Sequence, residues 1–105
     1  QVCGLYDDPM VLKGSKYLIA NHRTGQEWYV YGSFYAAPAQ YMIGGETWEN
    51  WYKVISSTIT KSIRKEGNFY RWDASGRGGV GPIYTTAVYA TMLAMPYHYL
   101  PLYQR

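Results

Sequence analysis

Few side chains in this chain of 105 residues are arranged for covalent chemistry. Asp7 and Asp8 are adjacent carboxyls, and such a pair can keep a proton because neighbouring like charges resist ionising together. Asp8 directly precedes Pro9, however, which reads as a helix cap followed by a first helical residue: proline's fixed φ suits that position and its missing N–H is not needed there. Asp73 stands alone in Arg71-Trp72-Asp73-Ala74-Ser75-Gly76-Arg77, where a turn or an ion pair is the expected use. Cys3, His22 and His98 are the soft or imidazole ligands, but no two have ligand-pair spacing, whereas catalytic zinc needs three convergent groups. The expectation is no catalytic residue, no metal and no cofactor.

Aromatic rings are the more abundant resource. Thirteen tyrosines and four tryptophans contribute to an aromatic share of 18%, and tyrosine suits places where one end is apolar and the other meets water or a polar partner. Trp28, Tyr31, Phe34, Tyr35, Tyr84 and Tyr89 lie on or beside two uncharged segments, with Tyr97 and His98 following the second. They are the candidates for an apolar ligand or a protein interface, and the plain alternative is that they fill space between helices. Arg71, Trp72, Asp73 and Arg77 are candidates of another kind, in a polar loop from Lys65 to Gly79. Its Gly76-x-Gly78-Gly79 run follows no predicted strand and lacks the Lys-Ser/Thr of a phosphate loop.

These residues need helices to position them. No Lys, Arg, Asp or Glu occurs between Arg77 and Arg105, nor between Trp28 and Gly45. Gly81-Pro82 opens a helix that Pro96 closes, and Gly44-Gly45 ends the earlier one. A helix apolar all round must be enclosed all round, so both are expected in an inner layer, with Pro38 a kink or an unpaired carbonyl in the first. Thr47 to Arg64 instead puts Trp48, Trp51, Tyr52, Ile55, Ile59, Ser62 and Ile63 on one side of an outer helix, capped by Thr47, with basic Lys61, Arg64 and Lys65 at its end. A shorter outer helix runs from Pro9 to Asn21, with Met10, Gly14, Tyr17 and Leu18 sharing a face. The order outer, inner, outer, inner, with no convincing strand, predicts an all-α fold of two helical hairpins.

Gly32-Ser33-Phe34-Tyr35 and Gly81-Pro82-Ile83-Tyr84 share a Gly-x-x-Tyr opening about fifty residues apart, as in repeat architectures. One segment, 1–105, therefore divides into a repeat of about 8–45 and another of about 46–105. The formal charge of +3 is scattered rather than striped, which argues against nucleic acid. The segment from Gly81 to Tyr103 is too rich in Thr, Tyr and Pro to span a membrane, and a single cysteine excludes an intramolecular disulfide. Gln1 to Leu5 reads as the tail of a preceding inner helix.

Gly44-Gly45-Glu46-x-Trp48-x-x-Trp51, Gly67-Asn68-Phe69, Gly81-Pro82-Ile83-Tyr84-Thr85-Thr86-Ala87, Tyr99-Leu100-Pro101-Leu102-Tyr103 and Asp8-Pro9-x-Val11-x-Lys13-Gly14-x-x-Tyr17-Leu18 together resemble the α/α-toroid repeats of the terpenoid cyclase and prenyltransferase superfamily. The nearer similarity is to bacterial, planctomycete-type proteins with prenyltransferase and squalene-oxidase repeats. The resemblance implies part of an α/α toroid, a carboxy-terminal piece of a longer protein. Ile63 stands where the family's repeat signature has Gln, and Phe69 where it has Trp, so Phe69, Tyr70 or Trp72 is expected to pack over the helix end instead. The paired-aspartate acid motif of the cyclases is missing.

The expected function is a noncatalytic repeat segment for packing, protein interaction or apolar-ligand binding. Its implied partners are the remainder of a longer chain or other subunits, and an isoprenoid or other apolar ligand. The alternative is the terminal part of an isoprenoid cyclase-like enzyme whose acid lies elsewhere. The layered reading expects Tyr35, Met42, Tyr84, Ala87 and Leu93 buried, and Lys53, Ser57, Lys61 and Arg64 exposed.

Overall fold

The computed structural model describes residues 1, 3–74 and 80–98. Four α-helices, α1 (Pro9–Asn21), α2 (Tyr29–Ile43), α3 (Gly45–Lys61) and α4 (Pro82–Ala94), carry the fold, and strands β1 (Arg64–Glu66) and β2 (Phe69–Arg71) join α3 to α4. The predominantly helical class matches the sequence reading. The hairpin does not: its three-residue strands are too short to show alternation, but Gly67-Asn68 is a two-residue turn. Gly67 takes φ +60° at the first turn position, where such hairpins favour glycine.

Asp8 opens α1, its Oδ1 accepting from the Met10 N–H at 2.8 Å, with Pro9 at the first position. The inward face of α1 is not the one expected, since Met10 and Tyr17 are 82% and 67% exposed. The helix turns Ser15 inward instead, because this serine has a buried partner: its Oγ donates to Gln40 Oε1 at 2.5 Å, and Gln40 Nε2 returns a bond to the Ser15 carbonyl at 3.2 Å. Polarity alone would have put Ser15 outside.

Helix α2 is central. It packs against α1, α3 and α4 through Val30, Ser33, Ala36, Ala37 and Gln40, all buried, and this mostly small stripe lets neighbours come close. Gly44 then serves both helices: its N–H bonds the Gln40 carbonyl of α2 and its carbonyl accepts from the Trp48 N–H of α3. Positive φ at Gly44 (+76°) and Gly45 (+51°) permits this reversal. Helix α3 thus begins ahead of Thr47, which is not its cap, and ends at Lys61 rather than Arg64, where Ser62 bonds back to Ile59 through both N–H and Oγ.

Trp51, Ile55 and Ile59 are the buried face of α3, with Trp48 and Tyr52 half-buried beside them. Lys53, Ser57, Lys61 and Arg64 are exposed as expected. Trp72, 5% exposed, seals the end of α3: its Nε1–H donates to the Ile59 carbonyl at 2.8 Å, and its backbone N–H donates to Thr86 Oγ1 of α4 at 3.0 Å. Its ring meets Tyr89 edge-on at 5.7 Å. Of the three rings proposed to cover this helix end, Trp72 does so, whereas Phe69 and Tyr70 are 78% and 58% exposed. Helix α4 starts at Gly81-Pro82 as read and runs into a 3-10 turn, Met95–Tyr97, so Pro96 sits inside the terminal turn.

Two of the enclosure expectations fail. Tyr35 is 57% exposed and Ala87 is exposed, while Met42, Tyr84 and Leu93 are half-buried. Within α2 only Tyr31 and Tyr35 are exposed, Pro38 and Met42 on the same side being half-buried, while α4 exposes Pro82, Ile83, Ala87 and Ala90, so the all-round apolar character is not fully matched by all-round packing.

Trp51→Ala should cost on the order of 3 kcal/mol by leaving a core cavity, and Lys53→Ala less than about 0.5 kcal/mol. Trp72→Phe, which keeps a ring but removes the bond to Ile59, should cost roughly 1–2 kcal/mol. Urea melts of the three variants check this order. Ser15→Ala should destabilise by about 1–3 kcal/mol because Gln40 stays buried without its partner, and adding Gln40→Leu should recover part of that loss in the same assay.

Candidate functional site

The face of α2 opposite its buried stripe carries Tyr31, Tyr35, Pro38 and Met42, recurring at the four- and three-residue steps that keep side chains on one side of a helix. Tyr31 and Tyr35 are 51% and 57% exposed, and their rings meet edge-on at 5.0 Å. Trp28 approaches Tyr31 at 6.4 Å and Phe34 approaches Tyr35 at 5.3 Å, so four rings form a continuous row. Hydrogen bonding with Tyr31, then the charges of Tyr31 and, more weakly, of Tyr84, raise the pKa of the Tyr35 phenol. Tyr84 ties the row to α4.

The outward face of α4 has the same spacing but opposite size. Ile83 is 86% exposed, Ala87 and Ala90 are exposed, and Ala94 is half-buried. Thr85, Val88, Tyr89 and Met92 form its buried face. Helix α2 thus carries an uncharged outward row of rings, and α4 an uncharged outward row of mainly small side chains.

Trp28 has a further property. Its φ is +63°, in the left-handed region that disfavours residues with a Cβ by roughly 1–2 kcal/mol, yet its ring is 59% exposed.

A trench runs on the side of α3 facing the α1–α2 connection. Its larger part, about 690 Å³, is bordered by Gln26, Tyr29, Thr58, Lys61, Trp72 and Tyr89, and a smaller part of about 380 Å³ by His22, Tyr29, Trp51 and Val54. Tyr29 stands in both. Its phenol pKa is pushed up to about 12, first by burial, so it stays protonated and is no general base near neutrality. His22 stacks on Tyr29 at 4.6 Å, and its Nε2 lies 2.8 Å from Ser33 Oγ. Ser33 is fully buried at 0% exposure, which makes this Ser–His contact a structural tie and not a nucleophile.

The loop candidates separate. Trp72 belongs to the core. Asp73 joins an exposed ion network: it pairs with Arg64 and, at 2.6 Å, with Arg71, while Glu66 pairs with the other side of Arg71. Arg64 and Arg71 are register partners across the hairpin, so Asp73 relieves the repulsion between them. The Glu66 hydrogen bond is the first cause of a raised Arg71 pKa, with Asp73 adding to it. Arg77 lies outside the described residues, as do Ser75, Gly76, Gly78 and Gly79 and the terminal Tyr99 to Arg105.

Among the ring candidates, Trp28, Tyr31 and Tyr35 stand exposed along α2, whereas Phe34 and Tyr84 are half-buried and packed against the core. Tyr89, 6% exposed, is held in the core by Trp72. Tyr97 is exposed, and His98, at the end of the 3-10 turn, has Nδ1 2.9 Å from the Tyr41 hydroxyl, away from the row. Cys3 is exposed and His22 caps the end of α1. The sequence reading missed the alanine row of α4, legible in the spacing of Ala87, Ala90 and Ala94, and it missed Tyr29 in the trench. Among the described residues no helix is long and apolar enough to cross a membrane. Comparison with family models, curated proteins and solved structures gives no match.

Burial lowers the pKa of His22 below its ordinary 6.5. The unfolded chain therefore binds this proton at higher pH than the folded one, and stability falls as pH drops through the unfolded value, levelling below the folded pKa. Melting temperature should decrease between about pH 7.5 and about pH 5.5, and His22→Gln should flatten that slope in thermal melts.

Proposed function

We propose that this chain is a noncatalytic helical repeat segment that works by packing, the uncharged outward rows of α2 and α4 docking against another protein layer. In this reading α1 and α3 are outer helices and α2 and α4 inner helices of a curved array of the α/α-toroid kind, the arrangement implied by the resemblance to bacterial prenyltransferase-type repeats. The observation that carries the function is that α2 and α4 both expose uncharged apolar side chains outside the core, Tyr31 and Tyr35 on the one and Ile83, Ala87 and Ala90 on the other. Contiguous apolar surface of several hundred Å² marks an interaction site. The sequestered state of the groups with chemistry in them supports a packing role over catalysis: Ser33 is buried, Tyr29 protonated, Asp73 ion-paired, and Trp72 and Tyr89 fill the interior.

Anilinonaphthalene sulfonate, a dye that brightens on exposed apolar surface, should bind the chain at high dilution. Tyr35→Lys and Ile83→Lys should each lower its fluorescence severalfold while leaving the melting temperature nearly unchanged, since both side chains lie outside the core. Dye binding indifferent to both substitutions would overturn the reading.

A further inference from the structure

We infer that the trench between α3 and the α1–α2 connection is a binding site for an apolar carboxylate, its aliphatic body on the trench floor and its carboxylate beside Lys61. The site is separate from the outward rows of α2 and α4: none of Tyr31, Tyr35, Ile83, Ala87 and Ala90 borders it.

The two parts of the trench share Thr24, Tyr29 and Thr58, which makes them one continuous depression. The larger part, about 690 Å³, falls in the range of roughly 300–1,000 Å³ typical of small-molecule sites. Its floor is apolar: Ile59, Trp72 and Tyr89 are core residues bordering the larger part, and Trp51 and Ile55 border the smaller. An aliphatic chain laid there meets side chains already held by packing, so little ordering cost opposes its binding.

Around this floor the charges do not balance. Arg23, Lys61 and Arg64 border the trench, and Asp73 is its one carboxylate among the described residues. Asp73 is taken, since it pairs with both Arg64 and Arg71. Neither Lys61 nor Arg23 has an ion-pair partner among the described residues. Arg23 spends a guanidinium N–H on the Ala20 carbonyl at 2.7 Å, whereas the Lys61 ammonium donates to none of the described residues.

The neutral polar groups are largely committed. Thr58 Oγ1 donates to the Val54 carbonyl at 2.9 Å, Ser62 Oγ to the Ile59 carbonyl at 2.9 Å, and Gln26 Nε2 to the Asn21 carbonyl at 3.0 Å. A sugar or other polyol therefore finds few free donors here, and the donor that is free is a cation. The carbonyl of Ile59, which would repel an anion at this end of α3, already accepts from the Ser62 N–H, Ser62 Oγ and the Trp72 indole. Burial, and then Tyr89, push the Tyr29 phenol pKa up to about 12, so this ring adds no negative charge at neutral pH. An apolar floor with one unpaired ammonium at its rim fits an apolar body with a single anionic head.

The test titrates the chain with octanoate, below its micelle concentration, and follows N–H signals by two-dimensional NMR. The Trp72 indole N–H and the amides of Thr24, Thr58 and Ser62 should shift saturably. Lys61→Gln should weaken binding by about fivefold, the worth of an exposed ion pair, whereas Lys53→Gln, which removes an exposed charge of α3 outside the trench, should leave it unchanged. Octanamide, with the same body and no charge, should bind wild type and Lys61→Gln alike, and both more weakly than octanoate binds wild type. Thr24→Trp, a bulky ring at an exposed position common to both parts, should abolish the shifts at Thr58 and Ser62. The inference is overturned by shifts that never saturate, by shifts confined to signals outside the trench, by octanamide binding wild type as tightly as octanoate, or by equal effects of Lys61→Gln and Lys53→Gln. Should a variant fail to fold, the comparison of octanoate with octanamide on the wild-type chain decides by itself.

Discussion

The fold depends on the buried stripe of α2. Ser33, Ala37 and Gln40 have no exposed surface and Ala36 has 3%, so three helices close on a helix whose side chains there are small or polar. Small residues permit the approach, but the polar ones set a condition, because a buried hydroxyl or amide left without a partner costs more than its bond contributes. Helix α1 meets that condition twice, through Ser15 on Gln40 and His22 on Ser33. No buried side-chain nitrogen or oxygen is left without a partner among the described residues. Specific polar pairing, beside the packing of Leu18 against the core, thus attaches α1, which leaves Met10, Tyr17 and Ile19 largely in water.

Trp72 plays the corresponding part at the other end. The hairpin alone is a pair of three-residue strands, too small to be stable by itself. It is held because the chain immediately after it buries an indole between α3 and α4, with both indole N–H and backbone N–H bonded to those helices. Asp73, the next residue, is thereby placed to bridge Arg64 and Arg71. The exposed ion network follows from the buried ring and adds register more than stability, since exposed pairs are individually weak.

The charge-free outward rows and the core are two sides of the same helices. Because α2 and α4 have no charged face, nothing in their sequences tells which side turns inward; that is settled by where small and polar groups find partners. The rings of α2 are too large to fit where Ala36 and Ala37 sit beneath three neighbours, so they are left outside, and the exposed aromatic row is the complement of the small buried stripe.

Several helix ends and the amphipathic face of α3 were legible in the sequence because they rest on local physics: Asp8-Pro9 and Gly81-Pro82 start helices, Gly44-Gly45 reverses the chain, and Trp51, Ile55 and Ile59 mark an inward face by spacing alone, whereas Thr47 and Arg64 were misread as the bounds of α3. Trp72 was foreseen only as one of three rings able to cover the end of α3, and the gathering of Trp28, Tyr31 and Tyr35 only as rings on one uncharged segment. The hairpin escaped because three-residue strands carry no period, and the inward face of α1 because Ser15 looks like a surface residue until Gln40, 25 positions on, is brought to it. What the sequence by itself determined is the extent of α1, the end of α2, the start of α4, and that two helices bear no charge, since these depend on neighbours within a few residues. Which face of an uncharged helix is core and which is surface was decided only by the tertiary structure, because that choice turns on the size and hydrogen-bonding partners of residues far away along the chain.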